Sequence, residues 1–421
     1  MTASPKSLMG RLGAGLLPES EFSLIVASHF GETVQREAKV IRYGRDGVKA
    51  IDARYKDDAL ISITKGPALT EDDIRRIGAR VRSEAAESRE CVCRSFVFSG
   101  QRVNGFWRYR DRFQLLPAGD GAPEVPYALG WHPLILEFKV RWSPDVSLFA
   151  SRRADEQTRI VLLLNAFMPH GMTHIGFRSV HRWVVETSLF TDGQHSARTI
   201  WASDGYLVPG FADRAEDFSN TDRLPEIPLF TAGSDFPGDG RDPLTLPHYL
   251  AAFIDCYNVL KDSDRRAFDR ATYWYGHSGA MYQISYSAAF AALVQAIEAL
   301  VPRGDKSRST SRFIEFLTSF GFNKKTCETF YEIRSEILHG SRVLFSDLEG
   351  LFSMGHPGIG EFFLTYDECA RAARHAMRYW LAQQVTRLAV APGDQLDTSG
   401  SVTGSESESD SGLHHGQPWR G

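Results

Sequence analysis

From Phe22 to about Tyr206 the apolar positions come in short runs that alternate with polar ones, as in GVKAIDARYK, ECVCRSFVF and LILEFKVRW. A period of two places successive side chains on opposite faces of an extended chain, so these runs predict strands with one buried face. Asn104-Gly105 lies between two such runs and predicts a hairpin, because both central residues of a type I′ turn need positive φ. One stretch departs from this period. Thr70 is followed three residues later by Asp73, in the manner of a capping box, and Ile74, Ile77 and Val81 then recur at helical spacing. Residues 22–207 therefore read as a β-rich α+β domain, and residues 1–21 as a flexible N-terminus.

From Val208 to Pro247 six prolines (Pro209, Pro225, Pro228, Pro237, Pro243 and Pro247) and the run GSDFPGDGRD argue against regular structure. Residues 208–246 are expected to link two domains. Beyond them the apolar period becomes helical, with helices predicted over roughly 247–261, 264–275, 279–301, 308–320, 324–339 and 366–389. Residues 247–390 thus form an expected all-α domain. Residues 391–421, which include SGSVTGSESESDSG, carry too few apolar side chains to offset ordering entropy and are expected to be a disordered tail. The fold class is α+β: a β-rich domain with at least one helix, then a helical bundle.

A chain of 421 residues is long enough for two domains. No apolar run approaches the roughly 18 residues needed to cross a bilayer, so no membrane partner is expected. The early run LMGRLGAGLL is interrupted by Arg11 and precedes no small-residue cleavage site, which argues against a secretory signal and for a cytoplasmic location. Five scattered cysteines do not resemble a disulfide framework.

The net charge of -4 offers nucleic acid no general attraction. Residues 301–345 differ. There Arg303, Lys306, Arg308, Arg312, Lys324, Lys325, Arg334 and Arg342 outnumber five acidic residues, and the seven besides Arg334 are candidate RNA contacts. Cys91 and Cys93 with His170, His174 and His181 match no standard zinc spacing, so no metal is expected. The run FWRYRDRF could stack bases, but alternation along a strand favours an aromatic core face. No Gly-rich phosphate loop, HExxH or GxSxG occurs, and no cofactor is expected.

Arg334 and His339, in YEIRSEILHG, carry the sharpest signal. An Arg and a His five positions apart arise by chance about once in a chain of this composition, so the surroundings must distinguish them. At 100° per residue, Phe330, Ile333, Ile337 and Leu338 form an apolar stripe, and Arg334 falls inside it. A guanidinium placed there needs an anion, either a carboxylate such as Glu298 or a phosphate in a cleft. His339 lies 140° further round, so one ideal helix does not bring both to one face. Gly340 suits a helix C-cap and places His339 at a helix end. Tyr331 and Glu336 flank the pair, as substrate-positioning residues or as ordinary core and solvated positions.

The run FYEIRSEILHG, preceded by a helix ending AFAALVQAIEALVP, resembles the HEPN superfamily, in particular the ApeA-like HEPN domains of bacterial anti-phage and related proteins. The resemblance spans about residues 247–390. Members carry an Arg, four to six residues, then a His on a late helix of a small bundle, which Arg334 and His339 match, with Ser335 where many members have a polar residue. It implies a metal-independent endoribonuclease acting as a homodimer through the helical domain, with two motifs in one composite site. The implied partner is RNA, tRNA among the candidates, cut to 2′,3′-cyclic phosphate ends in a bacterial defence or toxin setting. The N-terminal domain would then sense a trigger. A non-catalytic dimeric module that binds RNA or protein is the alternative.

Overall fold

The alternating runs of the first half form antiparallel sheets in the computed structural model, which describes residues 7–37, 39–56, 59–118, 132–168, 172–173, 182–188, 196–202, 212–230, 243–282, 284–302, 308–344, 347 and 357–390. The class is α+β, as the two periodicities predict. Residues 7–21 correct the expectation of a flexible N-terminus, while residues 1–6 lie outside the described residues. Residues 8–12 form α1 (Leu8–Leu12), capped by Ser7, and α2 (Glu19–Phe30) follows. Leu12, Leu17, Phe22, Ile25 and Val26 are buried in one cluster with Ile74, Ile77 and Val81. Burying each such side chain stabilises by roughly 1.5–3 kcal/mol, which is why the LMGRLGAGLL run packs instead of trailing in water.

Next come β1 (Glu32–Glu37), β2 (Val40–Arg45), β3 (Val48–Lys56) and β4 (Ala59–Lys65), an antiparallel meander in chain order. Asp46 and Gly47 turn β2 into β3 with φ of 50° and 74°, the type I′ geometry that an Asp-Gly pair favours. The predicted capping box opens α3 (Glu71–Ala86): Thr70 Oγ1 accepts the Asp73 N–H, and Asp73 accepts the Thr70 N–H at 3.0 Å.

The second sheet is built from β5 (Glu90–Ser99), β6 (Trp107–Tyr109), β7 (Phe113–Pro117) and β8 (His132–Arg141). Across it the order is Arg214–Ala215, β5, β8, β7, β6. Asn104-Gly105 is no hairpin turn, because β5 pairs with β8 and the turn into β7 falls after β6, where Arg110 has φ 51°. Gly105 serves a close approach instead: a Cβ there would stand 2.4 Å from the Pro225 carbonyl oxygen. In FWRYRDRF, Tyr109 and Phe113 are buried, while Arg110 and Arg112 pair with Asp255 and Glu90. A separate hairpin joins residues 182–188 to 196–202.

Besides α1 and α2, a third helix of the first half departs from the strand pattern. In α4 (Val146–Phe167), IVLLLNAF looks like a strand because the helix is buried around much of its circumference. Leu148 packs in the N-terminal cluster and Phe149, Ile160, Leu164 and Phe167 against the second sheet, so α4 joins the two. Arg152, buried on α4, donates to Glu21 at 2.6 Å and to Glu84 at 3.1 Å.

The expected linker is not a linker where it is described. The Ser219 N–H and hydroxyl donate to the buried Glu137, the Phe106 N–H donates to Pro225, and the Ile227 N–H donates back to Phe106. Ile227, Leu244 and Leu246 are core residues. The prolines remove backbone donors and so prevent long strands, but the remaining groups bond to the sheet and the apolar side chains are buried. Residues 208–211 and 231–242 of that segment lie outside the described residues, as does 391–421.

The helical half contains α5 (Leu250–Asn258), α6 (Asp262–Met281), α7 (Tyr286–Glu298), α8 (Ser309–Thr318), α9 (Lys324–Leu338) and α10 (Pro357–Val390). Each matches a predicted helix, but α6 runs on to Met281, so the break before α7 falls later than the expected 276–278, and the last helix begins at Pro357, nine residues before the expected start at 366. The boundary near residue 247 does not separate two cores. Ile254, Tyr257, Phe268, Trp380 and Leu381 belong to the core of the second sheet, whereas α7, α8, α9 and residues 366–376 of α10 enclose a core of their own. Among the described residues no helix is long and apolar enough to cross a membrane.

Candidate functional site

α9 carries the predicted pair. The Asn323 side chain accepts the Lys325 N–H at 2.8 Å and caps the start. At the other end Gly340 adopts φ +72°, and the Ser341 N–H reaches the Glu336 carbonyl at 3.0 Å, the left-handed cap expected of that glycine. Phe330 and Ile333 are buried, Ile337 half-buried, and Leu338 is 50% exposed, so the apolar stripe is one residue shorter than its periodicity suggested.

Arg334 leaves the helix toward α7. Its Nη2 donates to Glu298 Oε2 at 2.7 Å, with both side chains about three-quarters buried, and its guanidinium lies 5.6 Å from the Tyr331 ring centroid. Among the described residues Arg334 Nε is buried with no hydrogen-bond partner. Burial pushes the Glu298 carboxyl above the usual carboxylate range, and the Arg334 charge only partly offsets that. The Tyr331 hydroxyl stands 3.1 Å from that of Ser309, and its ring packs against Phe313.

His339 is exposed. Its N–H donates to the Ser335 carbonyl at 3.0 Å, and no described residue hydrogen-bonds its imidazole. Within one chain the structure therefore joins Arg334 to Glu298 and Tyr331 but leaves His339 apart, as the 140° offset on a helix requires. Leu338 and Val343 are exposed on either side of His339 in sequence. Glu336 is engaged elsewhere, paired with Arg342 at 3.0 Å.

The expected basic patch divides. Arg308 and Arg312 start α8 beside Tyr331, where Arg312 donates to the Pro302 carbonyl at 2.8 Å. Lys324 and Lys325 begin α9, about 15 Å along the helix from Arg334 at a rise of about 1.5 Å per residue. Arg303 and Lys306 lie outside the described residues, as do His170, His174 and His181. Among the described residues no three His, Cys, Asp or Glu side chains gather as metal ligands.

A second cluster went unnoticed in the sequence. Arg371, Arg374, His375 and Arg378 line a cleft with Phe320, Phe322 and Tyr249. Their spacing of three, one and three in CARAARHAMR, inside the stretch 366–389 predicted as helix, was the available signal. Compared with known proteins, the chain matches no family model, no curated protein and no solved structure.

Proposed function

We propose that residues 247–390 act as a HEPN-type, metal-independent endoribonuclease, working in the cytoplasm as a homodimer in bacterial defence or as a toxin. The observation that carries this reading is the end of α9: an exposed histidine on a glycine-capped terminus, one and a half turns beyond an arginine whose Nε has no partner among the described residues. His339 takes the proton of an RNA 2′-hydroxyl, the 2′-oxygen attacks phosphorus, and the 5′-oxygen leaves with a proton from the second His339. Arg334 stabilises the charge on the phosphorane. Because one helix holds the two side chains apart, two copies complete the site. Exposed Leu338 and Val343 beside His339 offer apolar surface for such a pairing. Arg308 and Arg312 stand on the same end of the bundle to meet the RNA backbone.

Incubating the full chain with total RNA in EDTA tests the reading: 2′,3′-cyclic phosphate ends should appear, and His339→Ala should slow cleavage by about 10²–10⁴-fold. Cleavage at the wild-type rate by His339→Ala would remove the assignment. The Arg334–Glu298 ion pair favours a second reading, a non-catalytic dimeric module that binds RNA or protein. That reading gains if RNA is retained uncut under every condition.

A further inference from the structure

At the opposite end of α9 from His339, a cleft of about 350 Å³ opens between the α+β half and the helical bundle. Along one side runs α10, whose Arg371, Arg374, His375 and Arg378 share one helical face. The other walls are aromatic: Phe320 and Phe322 from the turn between α8 and α9, with Phe230 and Tyr249 from the other half. Three arginines and only one carboxylate, that of Glu368, are among the residues that line the cleft.

Like charges one turn apart weaken a helix by a few tenths of a kcal/mol per pair, so this spacing costs stability unless an anion is bound. Among the described residues neither Arg371 nor Arg374 forms an ion pair or a hydrogen bond, although Arg374 is half-buried. The surroundings are fixed in place. The His375 ring lies 4.1 Å from Tyr379 and meets Phe322 edge-on at 5.3 Å. Arg378 donates to the Phe167 carbonyl at 2.9 Å and stands 5.1 Å from the Tyr249 ring centroid. Arg371 and Arg374 are thus open donors on a pre-formed aromatic wall.

We propose that this cleft binds a small phosphate ester carrying a flat ring. Guanidinium forks match phosphate oxygens in geometry and charge, and a bare anion would have no use for the aromatic walls. The volume falls at the small-ligand end of the range for such sites, roughly 300–1,000 Å³, and these sites favour junctions between packed units. With about 1.5 Å of rise per residue, the cleft lies about 25 Å from His339, so the proposal stands whether or not RNA is cut.

Calorimetric titration of the full chain tests it, with phenyl phosphate, adenosine 5′-monophosphate, glycerol phosphate, inorganic phosphate and adenosine as probes. Phenyl phosphate and adenosine monophosphate should bind with Kd below about 1 mM. The other three, each lacking ring or phosphate, should bind at least about tenfold more weakly. Arg374→Ala and Arg371→Ala should each weaken adenosine monophosphate binding by about tenfold or more without lowering the melting midpoint. Should Arg374→Ala melt early, Arg371→Ala, at an exposed position, decides alone. No binding by either ring-bearing phosphate overturns the proposal, as does an affinity indifferent to Arg371. A short RNA that binds more tightly through the same arginines overturns it too, assigning the cleft to a nucleic-acid strand.

Discussion

The Nη2 of Arg334 is bonded at 2.7 Å to the Oε2 of Glu298, a carboxyl that burial has pushed above the usual carboxylate range. Arg334→Ala leaves that carboxylate partly buried and alone, and should cost about 1–3 kcal/mol. Loss of the guanidinium raises the Glu298 pKa further. The deficit is therefore largest at high pH, where Glu298 must be ionised, and shrinks as falling pH protonates it. Urea unfolding of the variant and the wild type from pH 8 to pH 5 checks the sign, and a deficit that grows on acidification would refute it.

Asp73 titrates in the opposite sense. Burial works against its charge, but hydrogen bonds from Thr70 and His29 and the charge of Arg45 outweigh it and hold the carboxyl at about 2. A depressed folded-state pKa contributes stability above the ordinary aspartate value and loses it as pH falls toward 2. That contribution is about 2 kcal/mol at neutral pH, and about 1 kcal/mol of it should vanish between pH 5 and pH 3. Asp73→Asn removes this pH-dependent part, so its stability difference from the wild type should narrow over that interval.

Arg152 is buried between Glu21 and Glu84 and also donates to the Trp142 carbonyl at 3.0 Å. Arg152→Met strands two carboxylates in the junction between the first two cores and should cost about 3–5 kcal/mol in chemical unfolding. A loss below about 1 kcal/mol would mean that water reaches those carboxylates once the guanidinium is gone.

Gly105→Ala places a Cβ 2.4 Å from the Pro225 oxygen and must push apart the bridge between Phe106 and Glu226. The expected cost is about 1–3 kcal/mol, with faster proteolytic cutting within residues 219–227 as a local readout.

Periodicity located most strands of the two sheets and the late helices. The strands holding ECVCRSFVF and LILEFKVRW, the Thr70 cap and the late helices stand close to where alternation or helical spacing places them, apart from the later end of α6 and the earlier start of α10. It failed at IVLLLNAF in α4, where a continuous apolar run hides the helical period, and where prolines suggested a linker but tertiary bonds hold the chain. The Asp46-Gly47 turn was legible in principle, since its dipeptide favours positive φ by the same rule that marks Asn104-Gly105. What decided between them was pairing at a distance, which no dipeptide encodes. The position of Arg334 inside an apolar stripe calls for an anion, and the Glu298 carboxylate meets it at 2.7 Å. The cleft on α10 stayed hidden because its walls come from separate segments spread between residues 230 and 378.

α10 is a single helix, with residues 366–376 in the bundle core and Met377, Trp380 and Leu381 in the core of the second sheet. It behaves as a common axle seated in two bearings. Neither half can rotate against the other without dragging that axle, so a disturbance in the sheet reaches the bundle as a twist of a stiff rod. Severing the chain near residue 247 would expose one bearing and leave a helix with half its seat missing. The two halves should therefore melt together, in one calorimetric transition.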